Sequence, residues 1–149
     1  MSCNVFLSVI WRSREKYKEI EIAKKYLEKY KEKLNYDDHR WYYREVLKFF
    51  ESIVNEKSFF EGINGDIWQF SIIGNFTEYY EFIELIKYYF KELYEKEILI
   101  EGKYEGDRVL ILVEVEQTYK MKIFNLYFDE YINDIVIIEN YISDVYICI

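Results

Sequence analysis

The sequence predicts a single α+β domain over residues 1–149, about three helices packed on a largely antiparallel sheet. Three observations carry that expectation. Three segments space their apolar residues by three and four, as amphipathic helices do. Elsewhere apolar and polar residues alternate with the period of two that half-buried strands show. The helices and the hairpins are also grouped instead of strictly alternating, which separates this chain from a doubly wound α/β fold. The expected order is β-α-α-β-β-α-β-β-β-β, with room for one more strand at the end.

The first strand is expected over Asn4–Arg12, where Val5, Leu7, Val9 and Trp11 share one face and Phe6 and Ile10 the other. Apolar residues on both faces suit a central strand. Ser13 is a candidate N-cap with Glu15 in the first turn. Ile20, Ala23, Leu27, Tyr30 and Leu34 then form one apolar stripe that Asn35 ends. A second helix is expected from Asp37 or Asp38, with Tyr42, Val46, Phe49, Phe50 and Ile53 as its stripe and Asn55 as its end. The short connection makes the pair a helical hairpin.

Ser58–Ile63 and Asp66–Ile73 flank Asn64-Gly65, a dipeptide suited to the positive φ angles of a type I′ turn. In the second of these strands Trp68 and Phe70 should face the third helix near Phe82 and Ile86, with Gln69 on the wetter side. Asn75 and Glu78 form a capping-box pattern ahead of that helix, whose apolar face runs from Tyr79 to Leu93. From Ile98 the period is read as two. Ile98–Tyr104 and Arg108–Glu116 flank Glu105-Gly106-Asp107 as a hairpin. Lys120–Tyr127 alternates Met121 and Ile123 against Lys120 and Lys122, and Ile135–Ile138 and Val145–Ile149 complete the set.

Composition supports a packed core: 51% of residues are apolar and 32% charged, with Tyr 17, Phe 11 and Trp 3. The absence of proline excludes collagen-like and polyproline readings. No apolar run approaches the ~20 residues of a membrane-spanning helix. The N-terminus has no basic n-region and reads as a strand instead of a signal peptide. Cys3 and Cys148 lie in apolar patterns, where reduced thiols in a cytoplasmic protein are expected.

Several chemistries lack their residues. His39 is the sole histidine, which leaves a triad or a His-based zinc site without ligands. No Cys-x-x-Cys, G-x-G-x-x-G or G-x-x-x-x-G-K-[ST] occurs, so no cofactor is expected. The lysines of the first helix are interleaved with glutamates, a self-compensated solvated face and not a nucleic-acid stripe. A metal-dependent hydrolase using strand carboxylates such as Glu101, Glu114 and Glu116 is the enzymatic alternative.

Charge distribution is the strongest functional signal. Residues 1–57 carry 13 basic and 10 acidic side chains, for +3, whereas residues 58–149 carry 7 and 18, for −11, which together make the net −8. From residue 123 onward there are five acids and no lysine or arginine. Such a field repels nucleic acid and attracts basic surfaces. The expectation is a non-enzymatic, acidic protein that occludes a basic partner, such as a nucleic-acid-handling enzyme, in the manner of toxin-immunity or phage anti-defence inhibitors. Asp129, Glu130, Asp134 and Asp144, with Glu114 and Glu116, are the expected contacts, and Tyr127 and Tyr131 supply aromatic faces beside them. An alternative role is an oligomerising structural domain, a homodimer through the stripe of the first helix.

Overall fold

A computed structural model describes residues 4–35, 41–74, 79–101, 109–115 and 120–143. The observed order is β1 (Val5–Arg12), α1 (Lys16–Asn35), α2 (Trp41–Val54), β2 (Phe59–Phe60), β3 (Ile67–Gly74), α3 (Tyr79–Glu101), β4 (Val109–Val115), β5 (Lys120–Asp129) and β6 (Asp134–Ser143). The six strands form one antiparallel sheet in the order β2-β3-β1-β4-β5-β6, and the three helices pack against it. The α+β class is therefore as the residue periodicities dictate, with β1 in the interior as its two apolar faces require.

An aromatic core fills the space between helices and sheet. Trp11 stacks on Trp68 with ring centroids 5.9 Å apart and meets Phe90 of α3 edge-on at 5.0 Å. Phe49 of α2 reaches Phe70 at 5.3 Å, and Phe70 lies over Phe82 of α3 at 6.4 Å. Trp68 and Phe70 are buried while Gln69 is exposed, so the faces of β3 are as the alternation indicated. Tyr30 of α1 stacks on Phe50 of α2 at 5.9 Å. Ile20, Ala23, Leu27 and Tyr30 are all buried within the protomer. The stripe of α1 is thus committed to the chain's own core and is not free to form a dimer.

Three local expectations are corrected. Residues 98–101, read as the start of a strand, continue α3. No glycine or proline interrupts the run between Gly74 and Gly102, and a short apolar run carries no period of its own. The Asn64-Gly65 turn is not type I′: Gly65 has φ +120° but Asn64 does not have a positive φ. Pairing stops at Phe60↔Ile67, and the Gly65 N–H donates to Gly62 O at 3.3 Å within a wider loop. A Cβ on Gly62 would stand 2.7 Å from Gly65 O, so this close approach needs a glycine there. Ser13 is not the N-cap, because its hydroxyl donates to the Glu19 carboxylate. In β5 the alternation leaves the inward face open, and pairing with β4 decides it. Phe124 and Leu126 are buried toward the helices on the parity of Lys122, and Met121 and Ile123 lie on the opposite face.

His39, Cys3, Cys148, the Asn75/Glu78 capping pattern, the Glu105-Gly106-Asp107 hairpin turn and the Val145–Ile149 strand lie outside the described residues.

Candidate binding surface

The β5–β6 connection is a four-residue turn closed by the pair Asp129↔Asp134. Local chemistry sets its shape. The Asp129 carboxylate accepts the Tyr131 N–H at 2.9 Å, Asp134 accepts the Ile135 N–H at 2.7 Å, and Asn133 adopts φ 53°, a left-handed conformation asparagine tolerates. The Asn133 amide donates to Glu95 of α3 at 3.2 Å, which ties the turn to the helix. Between these anchors Glu130 is exposed, and Tyr131 and Ile132 project into solvent, Tyr131 being 101% exposed. Asp129, Glu130, Asp134 and Glu95 thus surround one tip, with Lys87 nearby; burial opposes its charge, but the hydrogen bond and charge of Glu84, with smaller contributions from Tyr88 and Asp134, raise its pKa.

The other expected contacts are dispersed. Tyr127 sits one alternation inward from Asp129 on the same sheet face, half-buried, opposite Val136. Glu114 is exposed on that face, but it pairs with Met121, eight residues along β5 from Asp129 and so about 26 Å away. The structure brings Asp129, Glu130, Tyr131 and Asp134 together and leaves Glu114 at the far end. Asp144 and Glu116 lie outside the described residues.

A second cluster had not been anticipated. Lys122 of β5 donates to the Tyr79 hydroxyl at 2.7 Å and the Tyr80 hydroxyl at 3.0 Å, and stands 3.8 Å from Glu139 of β6. Its ammonium is also 5.3 and 5.1 Å from the two ring centroids. Burial works against the charge, but the bonds to Tyr79 and Tyr80 outweigh it and hold the Lys122 pKa above the usual lysine value. Tyr80 in turn donates to Glu139 at 2.8 Å, and burial together with that carboxylate pushes its phenol up to about 12. Lys122 thus offsets the charge of Glu139 locally. The available signal was Lys122 sharing the parity of Phe124 and Leu126: a cation in an apolar row calls for a partner.

Tyr80 also borders a groove of about 220 Å3 between α2 and α3, lined by Tyr42, Tyr43, Tyr80, Glu81, Glu84 and Leu85. Tyrosine faces with carboxylates at the rim suit a cationic side chain, although Glu84 already pairs with Lys87 at 3.0 Å. Among the described residues no group of three or more His, Cys, Asp or Glu is placed to hold a metal ion, and no helix is long and apolar enough to cross a membrane. No protein-family model, no curated protein and no solved structure matches the chain.

Proposed function

We propose that this protein is a non-enzymatic, cytoplasmic binding module that covers a basic surface of a partner, with the β5–β6 tip as the contact. The observation that carries this reading is the tip itself. Tyr131 and Ile132 stand in solvent with Glu130 beside them, framed by Asp129, Asp134 and Glu95. Exposed aromatic and aliphatic side chains among carboxylates fit a surface rich in arginine and lysine, and the carboxylates stand where phosphates would. A nucleic-acid-handling enzyme is the partner class whose surface is already built for that charge, and occlusion would inhibit it.

Asp129 and Asp134 also hold the turn, so their reversal mixes folding with binding. The discriminating variant is Glu130→Lys combined with Tyr131→Ala, since the side chains of both residues are exposed. Affinity capture with the full chain and with this variant, followed by association kinetics of the captured protein, tests the reading. The association rate should fall about tenfold or more as salt rises through the physiological range, and the variant should lose binding. A partner indifferent to both would overturn it.

A further inference from the structure

All three helices pack on one face of the sheet, which leaves the other face of β3, β1, β4, β5 and β6 without a covering layer among the described residues. That face is not the solvated surface its position implies. Strand register places ten side chains in its two central rows, and none is charged, in a chain 32% of whose residues are charged. Ile10, Leu110, Leu112, Ile123 and Ile138 lie there, and Phe6 and Ile73 extend the patch, Ile73 being 71% exposed. The other five are uncharged polar residues: the Ser8 and Ser71 hydroxyls bond each other at 2.8 Å, and Gln69, Asn125 and Asn140 carry amides on β3, β5 and β6 that stay partly or fully exposed. Covering this face would strand neither hydroxyl.

We propose that the occupant is a second copy of this chain, packed sheet to sheet about a two-fold axis that crosses the strands near Val9. Charge placement selects that partner and that orientation. Arg12 ends β1 at one margin of the face, and Glu114 lies opposite Phe6 at the other margin. Neither forms an ion pair among the described residues. The two are six residues apart along the register, about 20 Å, so they do not meet within one protomer. A two-fold axis across the strands reverses strand direction between copies. It lays the row of Arg12 over the row of Glu114 twice, while the uncharged central rows close on each other.

Size agrees with this. Five strands about 4.8 Å apart and eight residues long at about 3.3 Å each cover about 600 Å2 per protomer, or about 1,200 Å2 for the pair, the lower bound of stable interfaces. The acidic tips project beyond the overlaid rows at opposite ends of the dimer, so the proposal stands or falls independently of their role.

Sedimentation equilibrium of the full chain tests it, with R12E, E114R, the double variant R12E/E114R and I73D measured alongside. The wild type should be a dimer at micromolar concentration. Each single charge reversal should weaken the dimer about tenfold, as I73D should, and the double reversal should restore affinity to within about threefold of wild type. A wild type that is monomeric at about 100 μM overturns the proposal, whether residues 144–149 of its own chain or a different protein cover the face. A dimer insensitive to these reversals, as pairing along the β6 edge would give, also overturns it. So does a double reversal that fails to restore association.

Discussion

The two faces of the sheet are made by the same alternating strands, yet they meet opposite surroundings. Toward the helices, Leu7, Val9, Trp68, Val109, Ile111, Val113 and Leu126 are fully buried or nearly so. On the other side Ile10, Leu110, Leu112 and Ile123 are only half-buried, and Ile67, Ile73 and Ile138 are exposed. Both faces carry apolar residues, but only the open one interleaves them with Gln69, Ser71, Asn125 and Asn140. Most of the large rings add to the difference: Trp11, Trp68, Phe70 and Phe124 point to the helix side, where rings bury the most area per residue and find edge-to-face partners, while Phe6 and Tyr127 lie on the open face. The two central rows of the open face mix five aliphatic side chains with five uncharged polar ones, a composition suited to flat contact.

The largest expected effect lies on the helix side. Phe49 touches Trp11, Phe50, Phe70, Phe82, Tyr89 and Phe90, so it links α2 to α3, β1 and β3. Phe49→Ala should cost about 3–5 kcal/mol in denaturant unfolding, the transfer loss plus a cavity that six rings cannot close. A cost below about 1 kcal/mol would show that the aromatic cluster is loosely packed, and the contrast between the faces would collapse.

A smaller, pH-dependent effect tests the one fully buried carboxylate among the described residues. Glu19 of α1 is 1% exposed, receives the Ser13 hydroxyl, and lies beside the indole N–H groups of Trp11 and Trp68, neither of which closes a well-formed hydrogen bond. Burial raises its pKa above the usual glutamate value; the Ser13 hydroxyl, the two indoles and the Arg14 backbone N–H oppose that shift but do not cancel it. The folded chain therefore holds this proton more tightly than the unfolded chain does. The resulting stabilisation is complete below the unfolded pKa and is lost as pH rises through the folded one. Glu19→Gln should thus equal or exceed the wild type at pH 7 by up to about 1 kcal/mol, and that advantage should shrink on acidification toward pH 4. A Gln variant that is less stable at neutral pH and gains on acidification would assign Glu19 a stabilising charge, contrary to its burial.

These contrasts show what was legible before the structure. Long stripes such as Tyr42, Val46, Phe49, Phe50 and Ile53 identify a helix and its buried side because many residues agree on one period. The Asp129–Asp134 cluster was legible as well, since a hairpin turn gathers residues that are neighbours in the chain. The Lys122 cluster was not, because Tyr79 and Tyr80 lie more than forty residues away and meet it only through the packing of α3 on β5. The end of α3 was equally hidden. A run such as residues 98–100 has too few positions to show a period, and the preceding helix simply extends through it. Alternation also cannot say which face of β5 turns inward: Met121 and Ile123 against Phe124 and Leu126 is decided by pairing with β4.

The smallest expected effect is on the open face, and it separates folding from association. Ile73 is 71% exposed at the end of β3, so Ile73→Asp removes little buried area within the protomer and should shift the intrinsic unfolding free energy by less than about 0.5 kcal/mol. A bound second copy nevertheless stabilises the wild type by mass action, in proportion to the logarithm of protein concentration over the dissociation constant. The wild-type melting temperature should therefore rise with protein concentration, whereas that of I73D should not, and the two should converge on dilution. Phe49→Ala offers the control. It lowers the melting temperature at every concentration, because its loss lies inside one protomer. If I73D instead lowered the wild-type melting temperature equally at all concentrations, Ile73 would belong to the protomer's own packing. The open face would then be a second core face and not an interface.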